Sequence, residues 1–309
     1  MSLVMPRRRL FARPLRPFRV ERYPGWTDGS DSLSSSETEP LDMEDLLSLA
    51  DEEAARRWRI LSLGYPSHNE GSPFLREAIG SRYRGDGAVN VCAPQEGIFL
   101  SAHALLQEGD HVIATVPHYQ SLSEVARSIG CTVSAWRPEG SVLRFDTSTL
   151  NSLLQPGRTK LVIANWPHNP TGALPTPDEL RDVVHACESC GAHLMIDEMY
   201  RGLEHVGAEQ LSAACDAYER GVSLGGLSKT VGLPGLRVGW LASRDEAFMA
   251  RVAELKDYIS ICPPAPSEVL ALIALRSYEL LLARSRAIVE QGLLATRQMV
   301  ASHPELLEW

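Results

Sequence analysis

The stretch KLVIANWPHNPTG, residues 160–172, decides how this sequence reads. Lys160 to Asn165 is a short apolar, β-branched run, the composition of a strand buried on both faces of a parallel sheet. Asn165-Trp-Pro-His-Asn169-Pro-Thr-Gly172 then turns the chain, because Asn and Gly tolerate positive φ and Pro fixes its own. A helical pattern follows over Pro177–Cys190, and a second apolar run, His193–Ile196, leads to Asp197. Strand, turn, helix and strand at this spacing predict a βαβ unit.

The same alternation extends in both directions. Apolar runs recur at Val89–Cys92, His111–Val116, Thr132–Trp136, Val222–Leu224 and Val238–Ala242, with helical patterns at Glu96–Gln107 and Ser121–Gly130. Seven runs separated by helices predict an α/β fold, a mostly parallel seven-stranded sheet between helices. Ligands of such sheets sit at the carboxyl ends of the strands. One helical stretch is expected from near Leu41, with Asp42, Glu44 and Asp45 in its first turn and Gly64 and Pro66 at its end. From Ser267 to about Ser302 the pattern is almost continuously helical, and no further strand follows. The domain division expected is an irregular arm at 1–40, a large domain at 41–270 and a connector helix at 271–309.

The 309 residues are 44% hydrophobic, enough for a full core. The net charge of −9 argues against a nucleic-acid or anionic-lipid surface. No apolar run approaches the ~20 residues that span a bilayer. Arg7, Arg8, Arg9, Arg13, Arg16 and Arg19 lie among prolines, and Pro14 and Pro17 interrupt any signal-peptide core, so the arm reads as solvated. The segment Ser34-Ser-Ser36-Glu37 reads as solvated loop that could approach a pocket. Cys187-Glu-Ser-Cys190 closes a helix without a second ligand pair, which fits packing better than zinc or redox chemistry. Six scattered cysteines suit a reducing cytoplasm.

Four segments carry chemistry. They are Asn165–Gly172, Met195-Ile-Asp197-Glu-Met-Tyr200-Arg201, Leu227-Ser228-Lys229 running on to Arg237 and Trp240, and Cys92-Ala93-Pro94-Gln95-Glu-Gly97. Each alone is an ordinary turn, strand end or loop. In order, with 28 residues from Asn169 to Asp197 and 32 from Asp197 to Lys229, the set resembles the fold type I enzymes dependent on pyridoxal 5′-phosphate (PLP), the class I/II aminotransferase family. The resemblance covers about Tyr65 to Trp309.

That resemblance implies an aminotransferase-like large domain and roles for particular residues. Lys229 would carry PLP as a Schiff base and act as general base and acid. Asp197 would hold the pyridine nitrogen protonated, so that the ring draws electrons from the substrate carbon. Asn169 and Tyr200 would donate to the ring's 3′-oxygen. Arg237, Ser228 and the helix start at Ala93, Pro94 and Gln95 would bind phosphate. Tyr119 would stack on the ring, and Tyr65 would reach the phosphate of a second subunit, which implies a homodimer with a shared active site. His118 and His168 read as ordinary hydrogen-bonding residues.

Two departures from the family stand out. Pro94 lacks a backbone donor, and Gly226 stands where relatives have Ser or Thr. Relatives also bind the substrate carboxylate with an arginine in a carboxy-terminal small domain. The expectation here is that this domain is absent or truncated. The implied reaction moves an amino group between an amino acid and a 2-oxo acid. The alternatives are another PLP reaction, such as cyclisation, elimination or decarboxylation, or a PLP-binding remnant without turnover. The Leu227–Trp240 segment is also similar to that of capreomycidine-forming enzymes.

Overall fold

The structure is a computed structural model that describes residues 12–16, 36–140, 143–205 and 207–308. Seven strands form one sheet: β1 (Ala88–Cys92), β2 (His111–Thr115), β3 (Thr132–Trp136), β4 (Thr159–Asn165), β5 (His193–Asp197), β6 (Gly221–Gly226) and β7 (Gly239–Ser243). Their order is β1-β7-β6-β5-β4-β2-β3. Only β7 runs against its neighbours, β1 and β6. The fold is therefore the mostly parallel α/β sheet that the alternation predicts.

Both faces of the sheet are covered, and successive residues of one strand show it. In β4, Leu161 and Ile163 join one core cluster and Val162 and Ala164 another, all four at most 3% exposed. In β7, Leu241 points into the first of these clusters while Trp240 and Ala242 enter a third. Full burial of each branched side chain contributes about 1.5–3 kcal/mol, so the strands are held from both sides.

Three local expectations need correction. The single helix expected from Leu41 is two, Met43–Ser48 and Glu52–Arg59. Asp51 restarts the chain by accepting the Ala54 amide at 2.8 Å, and Asp42 lies outside the first turn as its cap, accepting from Asp45. The long carboxy-terminal helix divides at Ser277 into Ala265–Arg276 and Tyr278–Ser302. Part of the basic arm is docked: the Arg13 amide donates to the Ser128 carbonyl and the Arg16 amide to Glu124. Arg7, Arg8, Arg9 and Arg19 lie outside the described residues.

Candidate active site

The site grows from the carboxyl ends of β4 and β5. Asn165 and Asp197 are register partners there. The buried Asn165 side chain ties three points together. Its Nδ2 donates to the Asp197 carbonyl at 3.0 Å, and its Oδ1 accepts the Asn169 amide at 2.7 Å. Asn169 Nδ2 then donates to Tyr200 Oη at 3.1 Å. His168 closes the turn from below, with one ring nitrogen 2.7 Å from Thr171 Oγ1 and the other 2.7 Å from the Pro117 carbonyl. Asn165 and His168 thus position Asn169, Asp197 and Tyr200. The positioning role of Asn165 escaped the sequence reading, although an Asn closing an apolar strand is a visible signal.

Lys229 sits three residues past the end of β6. The chain has three lysines. Lys256 is buried and donates to the Asn69 carbonyl at 2.7 Å, and Lys160 is at the amino end of β4, so Lys229 alone lies at the carboxyl ends of the strands. Its Nζ donates to Glu37 Oε2 at 3.0 Å and to Ser36 Oγ at 3.1 Å. Thr38 adds a hydrogen bond to the Lys229 carbonyl and Leu41 one to the Gly232 carbonyl. The segment 36–41 is therefore a strap along residues 229–232. This corrects the solvated-loop expectation for Ser36 and Glu37; Ser34 and Ser35 lie outside the described residues.

The two departures at Pro94 and Gly226 prove to be one packing solution. Pro94 opens the helix Pro94–Leu105, at the first position, where its missing amide hydrogen would have no partner inside the helix. Its ring covers the facing ends of β6 and β7. A Cβ added at Gly226 would stand 3.2 Å from Pro94 Cγ, and one at Gly239 2.8 Å. Met199, whose Cε is 2.9 Å from the same point, and the proline together occupy the space that a side chain at Gly226 would need. The Ala93 amide is taken by Glu96 Oε2 at 3.2 Å, and Gln95 Oε1 accepts from Ser121.

The remaining residues divide. Ser228 is buried, and its hydroxyl has no partner among the described residues. Tyr119 is half-buried, against the cluster that holds Ile98 and Leu122. Arg237 is not gathered with them. It is exposed, has left-handed backbone (φ 56°), and its guanidinium donates to the Pro234 carbonyl at 3.2 Å. Tyr65 is 87% exposed.

The electrostatics ask for a cation. Burial lifts the Asp197 carboxyl to about 7, against the Met199 amide bonded to its Oδ1 and the Lys229 charge. Burial also raises Tyr200, opposed by hydrogen bonds from Ser36 and Asn169 and by Lys229. A protonated pyridine nitrogen against Asp197 would supply the missing positive charge. The orphaned Ser228 hydroxyl is a donor in want of an acceptor such as phosphate. The residues present therefore fit PLP. Among the described residues no group of three or more His, Cys, Asp or Glu could hold a metal ion.

The comparisons agree with this geometry. The family profile "Aminotransferase class I and II" matches residues 64–301. The chain is 31% identical over 217 residues to capreomycidine synthase of Streptomyces vinaceus, covering 69% of this chain and 55% of the relative. It is 31% identical over 231 residues to valine–pyruvate aminotransferase of Mycobacterium tuberculosis, covering 72% and 58%. The chain thus spans a little over half the length of these curated relatives. Among solved structures, the PLP-dependent cyclase OrfR superposes with a TM-score of 0.85 at 31% identity, covering 100% of this chain and 79% of that one. A PLP-dependent aminotransferase from Streptococcus suis gives 0.79 at 28%, covering 87% and 72%. The matched region exceeds half the chain and contains Asn169, Asp197, Tyr200 and Lys229: the protein belongs to the class I and II aminotransferase family, whose cofactor is PLP.

Proposed function

We propose that this chain is a transaminase that moves an amino group between an amino acid and a 2-oxo acid, with Lys229 as the cofactor lysine. The observation that carries the reading is the convergence of Asn169, Tyr200 and Asp197 at the ends of two adjacent strands, within the field of the Lys229 amine. When bound, PLP supplies an electron sink for the substrate's α-carbon. The protein does the rest. Asp197 would hold a proton on the ring nitrogen, and Asn169 and Tyr200 would orient the 3′-oxygen. Lys229, freed when substrate displaces it, would be the base and then the acid that moves a proton from the substrate α-carbon. Ser228 and the Gln95 amide would hold phosphate, since Pro94 has no amide hydrogen and the Ala93 amide is taken by Glu96; Arg237 would join them only by turning from Pro234. Tyr119 covers the ring. The exposed Tyr65 suits a residue that reaches a second subunit, and we infer a homodimer with a shared site. The cofactor domain of residues 41–270 continues into the last two helices, since Ala271 to Leu275, Tyr278, Leu281 and Leu282 join its core. The free cysteines suit a cytoplasmic enzyme of amino-acid metabolism.

The cofactor-loaded chain, given a panel of amino acids and one labelled 2-oxo acid, should place the label in a new amino acid, detected by mass spectrometry. Cyclisation is the second reading. The superposition on the cyclase OrfR over this whole chain favours it, and its product would retain the α-nitrogen. Label transfer supports transamination; a dehydrated or cyclised product that keeps its nitrogen would replace it with the second reading.

A further inference from the structure

A cavity of about 380 Å³ opens beside Asn169 and Tyr200. Its wall carries two carboxylates, Glu37 and Glu204, two histidines, His168 and His205, and no lysine or arginine among the described residues. Leu174, Leu203 and Val289 give it an apolar lining. The two acids have different surroundings. Glu37 already holds an ammonium, that of Lys229, at 3.0 Å. Glu204 accepts only the Gly202 amide, at 3.1 and 2.9 Å to its two oxygens, and makes no salt bridge among the described residues.

An incoming amino acid must bring its own α-ammonium to the place where the Lys229 amine now lies, beside Glu37. A side chain that extends along the apolar wall would meet Glu204, which shares it. A carboxylate without a cationic partner in a half-apolar cavity attracts a positive group and rejects a negative one. We propose that the substrate is an α-amino acid whose side chain ends in an ammonium or guanidinium group, and that Glu204 is the residue that selects it. This inference rests on the cofactor chemistry proposed at Lys229.

The test uses the full chain loaded with PLP. Arginine is compared with citrulline, which has the same shape without the charge, and lysine with norleucine; glutamate is the reverse control. Binding is read from the visible spectrum of the bound cofactor and, independently of turnover, by calorimetry. At least one cationic amino acid should bind about tenfold or more tightly than its neutral counterpart, the scale of one charge-assisted hydrogen bond. Glu204→Gln should remove most of that preference while the cofactor spectrum persists. Equal binding of arginine and citrulline and of lysine and norleucine, tighter binding of glutamate, or a preference untouched by Glu204→Gln would overturn the proposal. A chain that takes on no cofactor band sinks the Lys229 reading, and this inference with it. A normal band without the cationic preference sinks this inference alone.

Discussion

The Asn165 side chain donates to the Asp197 carbonyl at 3.0 Å, across the ends of two adjacent parallel strands. Through its other end it accepts the Asn169 amide. One buried amide thus sets the distance between the residue expected at the ring nitrogen and the residue expected at the 3′-oxygen. Asn165→Ala should leave the Asn169 amide without this acceptor and cost about 1–3 kcal/mol. Chemical denaturation would measure that loss. Cofactor affinity should fall with it, because Asn169 loses its anchor. Unchanged cofactor affinity in a destabilised Asn165→Ala chain would show that Asn165 serves only the fold.

Asp197 makes stability depend on pH. Its carboxyl is raised from 3.8 to about 7 by burial, so between these values the native chain binds a proton that the unfolded chain has released. The neutral form is the favoured one in the fold. Its stabilising contribution is complete below about pH 4 and is lost as pH rises through about 7. The cofactor-free chain should therefore lose a few kcal/mol over that window. Thermal melts of wild type and Asp197→Asn should diverge with rising pH, the variant falling less. Added PLP, which brings a cation to Asp197, should restore wild type most at pH 8. Parallel melting curves at every pH would contradict the assignment.

Much of the fold could be read from the sequence because the core strands are built mainly of apolar residues. Leu161 to Asn165 and Leu194 to Ile196 are buried on both faces, and their composition says so. Asn169, Asp197, Tyr200 and Lys229 could be named because the turn and the spacings fix them relative to those strands. Residues placed by long-range contact were harder. Glu37 is 192 positions from Lys229, and nothing local to Ser36-Glu37 distinguishes a strap from a solvated loop. The break between Ser48 and Glu52 rests on one cap, Asp51, that competes with good helix formers on either side. Pro94 and Gly226 looked like separate losses, since only the sheet brings residues 132 positions apart into contact.

That contact makes a coupled prediction. Gly226→Ala places a Cβ 2.9 Å from Met199 Cε and 3.2 Å from Pro94 Cγ. The strain should cost about 1–3 kcal/mol. Pro94→Ala removes one of the two obstacles, so the double variant should be more stable than the sum of the single changes allows. Gly239→Ala should resist such rescue, because its Cβ also meets the Gly225 carbonyl oxygen at 2.6 Å. A double-mutant cycle in urea would check both; strict additivity for Gly226 and Pro94 would show that the proline does not fill this space.

The strap should loosen when its ion pair to Lys229 is removed. With the Lys229 amine free, Glu37 and Ser36 bind it at 3.0 and 3.1 Å. Glu37→Gln replaces an ion pair that is about a quarter exposed on each side, so stability should fall by at most about 1 kcal/mol. Amide exchange of residues 36–41 should quicken in this variant. Exchange as slow as in wild type would mean that Thr38 and Leu41 hold the strap without the ion pair.

Borohydride reduction of the PLP-loaded chain, followed by peptide mass spectrometry, tests the central claim most directly, because it fixes the cofactor to the amine that holds it. Of the three lysines, the peptide containing Lys229 should carry the added mass, and Lys229→Ala should carry none. A modified Lys160 or Lys256, or no modified peptide at all, would contradict the account.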